Sequence, residues 1–177
     1  MPHIHTTPGQ HDHTAGAFIV RTDGSEPRAL LHMHRKLGKL LQVGGHTELE
    51  ETPWQTIAHE LSEESGYRLD ELQVLQPVAR IKSLPTGKLH PYPVVVNTHT
   101  ISPDHFHTEI AFAFAATGDP AGHIADGESS DLRWLTSSEL DALDASEVYL
   151  DVKAIYKFMF EECLNNWERV ATSSFEL

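Results

Sequence analysis

The sequence has little cysteine, little positive charge and no long apolar run. A single cysteine, Cys163, excludes an internal disulfide, and its place on an apolar stripe predicts a small core side chain. No apolar segment is long enough to span a bilayer, and the first residues lack the apolar core of a signal peptide. We therefore expect a cytoplasmic protein without a membrane partner.

Positive charge is scarce because 13 lysines and arginines stand against 26 aspartates and glutamates, a formal net charge of −13. Such a surface repels a phosphate backbone, so polymeric nucleic acid is disfavoured as a partner. A small phosphorylated partner is compatible, because a bound cation reverses the field locally. The 177 residues, 40% of them hydrophobic, are enough for one domain with a full core. A homodimer is compatible with this composition.

What the sequence has instead is an acidic helical pattern behind a glycine pair. Residues 45–67 read GHTELEETPWQTIAHELSEESGY. Glu60, Glu63 and Glu64 stand at i, i+3 and i+4, so a helix places the three carboxylates on one side. Like charges this close destabilise a bare helix, and carboxylate oxygens suit Mg²⁺ or Mn²⁺. A solvated acidic face is the alternative interpretation.

The same stretch resembles the Nudix box, whose pattern is G-x5-E-x7-R-E-U-x-E-E-x-G-U, with U a bulky apolar residue. The residues in register with it are Gly45, Glu51, Glu60, Leu61, Glu63, Glu64, Gly66 and Tyr67. Pro53 suits the first turn of the helix, and Gly66 suits its end. The resemblance implies an α/β fold of the Nudix type, an α/β/α sandwich with a mixed, mainly antiparallel sheet between helices. It also implies a hydrolase that uses divalent cations to cleave a nucleoside diphosphate linked to another group.

The resemblance further implies roles for the residues of the box. Glu60 and Glu64 would bind Mg²⁺ or Mn²⁺. Glu63 would bind a cation or orient the attacking water, and the backbone carbonyl of Gly45 would add a further ligand. Glu64 and Glu63 are thus both metal-binding and catalytic candidates.

One position departs from the pattern, because His59 stands where the family has arginine. In the family that arginine holds the glutamate found here as Glu51, so the resemblance implies a supporting pair formed by Glu51 and His59. The same departure is the sequence support for an alternative function. The chain would then be a catalytically inactive Nudix-fold module that binds nucleotides or regulates.

The proton acceptor of the implied reaction is left open among three glutamates. Glu63 lies within the box. Glu128 lies in a Gly- and Asp-rich loop, where it would act as a base, bind a further cation, or have no function. Glu109 lies on a predicted strand over residues 106–116.

That predicted strand has a polar and an apolar face. Ile110, Phe112 and Phe114 alternate onto one face, and the other carries small and polar residues. The polar residues of that second face and of the turn before it are His105, His107 and Glu109. They predict the wall of a substrate-binding cleft, with a surface stripe as the alternative.

The rest of the chain predicts one Nudix domain over residues 15–170 between two polar ends. A polar arm over residues 1–14 either lies on the sheet or binds metal through its histidines, which are His3, His5, His11 and His13. A long amphipathic helix is predicted over residues 147–167, and a frayed tail over residues 171–177. Other strands are predicted over residues 15–21, 28–34, 40–42, 72–84, 92–101 and 131–135.

The sequence narrows the substrate only to a class. A nucleoside triphosphate, ADP-ribose or a nucleotide sugar each fits. The ADP-ribose branch of the family has a proline at a set distance past the box, and Pro85 comes slightly later than that. No signature of dinucleoside polyphosphate or coenzyme A hydrolases is present.

Overall fold

The computed structural model describes residues 10–177 and folds them around one mixed β-sheet. The strands are β1 (Gln10–Arg21), β2 (Arg28–His34), β3 (Lys39–Leu41), β4 (Val43–His46), β5 (Gln73–Pro77), β6 (Val95–Ser102), β7 (His105–Ala116), β8 (Leu132–Leu135) and β9 (Trp167–Ala171). The α-helices are α1 (Pro53–Glu60), α2 (Ser137–Ala142), α3 (Leu150–Phe158) and α4 (Leu164–Asn166). No helix within residues 10–177 is long and apolar enough to cross a membrane.

The sheet has a central path of strands in the order β3-β2-β1-β7-β5-β9. β1 and β7 run parallel along their whole length, from Gln10 opposite His105 to Arg21 opposite Ala116. The remaining pairs are antiparallel, and they include β4 with β1, β6 with β7 and β8 with β2. The predicted mixed, mainly antiparallel sheet is therefore confirmed.

Helices cover both faces of this sheet, which confirms the predicted α/β/α sandwich. On one face, α1 and the turn after it bury Trp54, Ile57 and Leu61 against β1 and β7. On the other face, α3 and its continuation bury Tyr156 and Met159. Because side chains alternate along a strand, β1 and β7 supply one apolar row to each of the two cores.

The sheet begins earlier in the chain than the sequence predicts. β1 starts at Gln10, so the last part of the arm predicted over residues 1–14 is strand and pairs with the polar start of β7. His11 and His13 lie in this strand, whereas His3 and His5 lie outside the described residues. The sequence predicts a solvated arm here because these residues are polar. The strand that pairs with them, β7, is remote in sequence.

The long C-terminal helix predicted over residues 147–167 ends at Asn166, and β9 follows it. β9 pairs antiparallel with β5, which itself is shorter than the predicted strand over residues 72–84 and ends at Pro77. Proline has no N–H for a strand ladder, so it is suited to the end of a strand. The prediction missed β9 because its five residues are too few for a clear alternation.

The tail predicted to fray over residues 171–177 is instead attached to the domain. The Thr172 hydroxyl donates to the Leu69 carbonyl oxygen at 2.8 Å, and Thr172 is buried. Farther on, the ring of Phe175 lies 5.9 Å from that of Trp54, edge to face. These contacts make the end of the chain part of the core under α1.

Candidate functional site

The site is built on the helix that follows β4. Thr52 caps α1, because its hydroxyl accepts from the Gln55 N–H at 3.3 Å while its own N–H donates to the Gln55 side chain at 2.9 Å. Pro53 occupies the first turn. The helix then widens into a π-helical turn, Leu61–Ser65, and stops at Gly66, whose φ of 74° is the left-handed conformation that favours glycine. The predicted start and stop of the helix are confirmed.

Gly44 brings the backbone of β4 against this helix. Its N–H donates to Glu64 Oε2 at 2.9 Å. A Cβ on Gly44 would lie 2.3 Å from the Ala15 carbonyl oxygen, and its φ is 148°, so no larger residue fits without moving β1. Gly45, the predicted ligand, is the next residue of β4 and lies opposite Ala15 of β1. The glycine that contacts a box carboxylate through a hydrogen bond is thus Gly44, which the sequence pattern did not single out.

The three carboxylates of the box helix differ in environment. Glu60 is 3% exposed and Glu64 6% exposed, whereas Glu63 is exposed to solvent. Burial raises the pKa of Glu64 to about 8, and burial raises the pKa of Glu60 as well. The negative charge of Glu63 and Glu128 adds to both shifts. Two neighbouring buried carboxyls of this kind become anionic when a cation is bound beside them.

His59 lies between two of the glutamates. Its Nδ1 is 2.9 Å from Glu51 Oε1, and its Nε2 is 3.4 Å from Glu60 Oε1. The Thr56 hydroxyl donates to the second oxygen of Glu51 at 3.0 Å. The structure therefore places Glu51 and His59 in contact, although the family's arginine is absent.

Glu128 reaches the site because its loop crosses the end of the box helix. The N–H of Gly122 donates to the Gly66 carbonyl at 3.1 Å, and the N–H of Ala125 donates to the Glu63 carbonyl at 2.8 Å. Arg35 donates to the Gly127 carbonyl on the far side of the loop. Glu128 is half-buried in this loop.

His32 of β2 is a further neighbour of the box carboxylates. It is 2% exposed, and its Nε2 lies 3.6 Å from Glu64 Oε2. Burial lowers the pKa of His32 to about 4, so the ring is neutral and does not balance the glutamate charge. The HxH pattern of His32 and His34 was the available signal in the sequence. The burial of His32, however, depends on β8 and on the turn that carries Glu64, which are distant in sequence.

The polar stripe of β7 lies on one face, as predicted, but its members have different partners. Glu109 is buried and accepts from Gln42 Nε2 at 2.8 Å, and burial raises its pKa. His105 and His107 instead contact Asp12 and residues near it. The three residues predicted to bind substrate therefore form two groups, separated along β7.

The described residues fit a hard divalent cation. Ligand atoms of His59, Glu60 and Glu63 lie within 4.8 Å of one another. Glu60 Oε1 is buried, and no residue of the described part gives it a hydrogen bond of normal geometry. A buried carboxylate oxygen with a second carboxylate nearby suits Mg²⁺ or Mn²⁺, which take oxygen ligands.

A comparison with known families matches the NUDIX domain to residues 11–155 of the sequence. A search of curated proteins found no match. The structure is similar to a hydrolase of the NUDIX family from Clostridium perfringens, with 25% sequence identity and a TM-score of 0.69. That likeness covers 85% of this chain and 96% of the other.

Two further solved structures share the fold at lower identity. One is a binary complex of a C. elegans Ap4A hydrolase, at 16% identity and a TM-score of 0.60, covering 82% of this chain and 93% of the other. The other is the NUDIX domain of Shewanella oneidensis NrtR complexed with ADP ribose, at 12% identity and a TM-score of 0.60. It covers 84% of this chain and 87% of the other.

Proposed function

Since this chain belongs to the NUDIX family and is a hydrolase of pyrophosphate bonds, we propose that it is divalent-metal-dependent and cleaves a nucleoside diphosphate linked to another group. The observation that carries the proposal is the buried pair Glu60 and Glu64. Burial raises the pKa of both carboxyls, and both adjoin further glutamates. A bound cation would offset the repulsion among these carboxylates.

Glu60, Glu63 and Glu64 would hold Mg²⁺ or Mn²⁺, with the backbone carbonyl of Gly45 as a further ligand. When bound, the cation would neutralise phosphate charge and make the attacking water more acidic. The N–H of Gly44 fixes the Glu64 carboxyl at 2.9 Å, so this ligand is oriented before a cation arrives.

The reaction is the attack of water on phosphorus with cleavage of the P–O–P bond. The leaving phosphate takes the electron pair of that bond, and a carboxylate must take the proton of the water. The contacts favour Glu128 as this acceptor, because its loop is bonded to the backbone of Glu63 and its charge acts on Glu60 and Glu64. Glu63 is the second candidate, whereas Glu109 is engaged by Gln42.

Glu51 and His59 would orient the carboxylates. We expect His59→Ala to lower kcat/KM by about 10- to 100-fold and to raise the Mg²⁺ concentration needed for half-maximal rate, because Glu51 and Glu60 lose their shared partner. His59→Arg should instead keep the wild-type rate, since the guanidinium can hold a carboxylate through two hydrogen bonds. A His59→Ala protein with the wild-type rate and Mg²⁺ dependence would remove His59 from the site.

The substrate we propose is a small nucleotide derivative. Solved relatives include an Ap4A hydrolase and a NUDIX domain with bound ADP ribose. The net charge of −13 agrees with a small substrate rather than a polymer.

Assays of purified protein with Mg²⁺ test the proposal and identify the substrate. ADP-ribose, Ap4A, a UDP-sugar and a nucleoside triphosphate should be supplied separately, with the products separated by anion-exchange chromatography. We expect at least one to be cut at a phosphoric anhydride bond. A folded protein that binds these nucleotides and cleaves none of them would support the inactive module instead.

A further inference from the structure

Four side chains from three neighbouring strands converge away from the box glutamates. They are Asp12 of β1, His46 of β4, and His105 and His107 of β7. His105 and His107 share the β7 face of Ala111, which packs in the core under α3. The box helix α1 covers the other face of the sheet. This group, the histidine cluster, is therefore built on a different surface from the box.

The register of the sheet produces the cluster. Asp12 pairs with His107 in the parallel ladder between β1 and β7, and His46 pairs with Thr14 in the antiparallel ladder between β1 and β4. His105 and His107 are two residues apart, so they point to the same face. Side chains placed by hydrogen-bonded strands are held more firmly than side chains on loops.

The ring nitrogens meet at distances typical of a metal site. His105 Nε2 is 3.1 Å and His46 Nε2 is 3.5 Å from Asp12 Oδ2, and His46 Nε2 is 3.3 Å from His107 Nε2. Ligand atoms of Asp12, His105 and His107 all lie within 4.8 Å of one another. Zinc bonds of 2.0–2.1 Å in a tetrahedron separate neighbouring ligand atoms by about 3.3 Å.

Burial and access also favour an ion. Asp12 is fully buried, and the side chains of His46 and His105 are each 12% exposed. A buried carboxylate beside three imidazole rings offers a transition-metal ion one anionic and three nitrogen ligands. The partial exposure of the two histidine rings leaves the cluster open to solvent, so an ion can reach it.

We propose that Asp12, His46, His105 and His107 bind one transition-metal ion of the Zn²⁺ class, separate from the cation of the box. Three imidazole nitrogens and one carboxylate oxygen are ligands that Zn²⁺ accepts in four-coordinate sites, whereas Mg²⁺ prefers oxygen. The ion ties β1, β4 and β7 together at the end of the sheet where the box loop starts. It is bound with no substrate present.

Metal binding to the full-length, tag-free protein tests the site. After removal of metals, the protein is titrated with Zn²⁺ in competition with a chromophoric chelator, and with Co²⁺ while visible absorption is recorded. We expect one tightly bound ion per chain, an intense Co²⁺ spectrum of the four-coordinate type, and a Zn²⁺-dependent rise of Tm by about 5 °C or more. No tight Zn²⁺ binding by the wild-type protein would overturn the proposal.

Variants locate the ion. Asp12→Asn and the double variant His105→Ala/His107→Ala should each lower Zn²⁺ affinity by about 100-fold or more. Asp12→Asn keeps the side-chain shape, so it tests the site even if the double variant fails to fold. Wild-type Zn²⁺ affinity in a folded Asp12→Asn protein would contradict the assignment.

Matched controls separate this site from the rest of the chain. His3→Ala/His5→Ala tests the N-terminal histidines, and Glu60→Gln/Glu64→Gln tests the box carboxylates. We expect both double variants to keep the Zn²⁺ affinity of the wild-type protein. Loss of Zn²⁺ binding in either one would overturn the assignment to the histidine cluster. Because binding is measured without substrate, failure here leaves the proposed hydrolysis standing, and the reverse also holds.

Discussion

Replacing Glu64 with glutamine is expected to lower kcat by about a hundredfold or more while the protein stays folded. The amide of Glu64→Gln can still accept the Gly44 N–H, which now donates to Glu64 Oε2 at 2.9 Å. What the substitution removes is the negative charge that would hold a cation. The loss should therefore appear in kcat at saturating Mg²⁺ and not in the folded structure.

The stability of this variant follows from the same burial. The pKa of Glu64 is raised to about 8 in the folded protein, above the value of about 4.3 of an unfolded glutamate. A carboxyl of this kind costs stability as pH rises between those two values, because the folded state holds the proton more tightly. Glu64→Gln should thus melt no earlier than wild type at neutral pH. Near-normal turnover by the folded variant would remove Glu64 from the metal site.

A surface substitution of the same chemistry provides the control. Glu161 is exposed, and its carboxylate forms a 3.8 Å ion pair with Lys157. Glu161→Gln removes one carboxylate far along the chain from the box, so kcat and Tm should stay close to wild type. A similar loss of activity in both variants would point to net charge rather than to the site.

Truncating Trp54 to alanine is expected to lower the free energy of unfolding by about 3–5 kcal/mol, which lowers Tm by roughly 10 °C. Trp54 is fully buried at the start of α1. Its ring lies 5.3 Å from Phe112 and 5.9 Å from each of Phe114 and Phe175. Trp54→Ala leaves a cavity where α1 meets the sheet, and α1 carries the box carboxylates, so activity should fall as well.

Phe175→Ala is the comparison variant, for which we expect a smaller loss of stability than for Trp54→Ala. Phe175 is only half-buried, so its removal should cost about 1 kcal/mol and leave kcat unchanged. Thermal unfolding followed by circular dichroism measures both variants. A Trp54→Ala protein that melts within about 2 °C of wild type would mean that α1 does not depend on this contact.

The sequence predicts the box helix well because its ends carry backbone requirements. Pro53 suits a first turn, and Gly66 takes a left-handed φ of 74°. The π-helical turn between them was not predictable, since Leu61–Ser65 reads as ordinary α-helix. The unequal burial of Glu60 and Glu63 was missed for a related reason, because spacing places side chains on a face but does not say what covers it.

Contacts between distant strands account for most of what the sequence did not show. Alternation along β7 predicts that His105, His107 and Glu109 share a face, and they do. Their partners come from elsewhere, since Asp12 lies in β1 and Gln42 precedes β4. Strand pairing over such separations depends on the whole sheet, and no local pattern specifies it.

His59 shows that a departure from a family pattern can keep the local contact. Spacing alone left open whether a histidine could replace the arginine. The ring nitrogens lie 2.9 Å from Glu51 Oε1 and 3.4 Å from Glu60 Oε1, so the histidine contacts two carboxylates. A guanidinium can hold one carboxylate through two hydrogen bonds. The sequence support for an inactive module is weaker as a result.

The most direct test of the account is the dependence of pyrophosphate cleavage on the divalent cation. Metal-stripped wild-type protein should be mixed with the best substrate and followed by ³¹P NMR, first with chelator and then as Mg²⁺ is added. We expect no turnover with chelator, and cleavage that rises with Mg²⁺ to a plateau, because the buried glutamates need the cation to act on phosphate. Equal turnover in chelator and in Mg²⁺ would contradict the account.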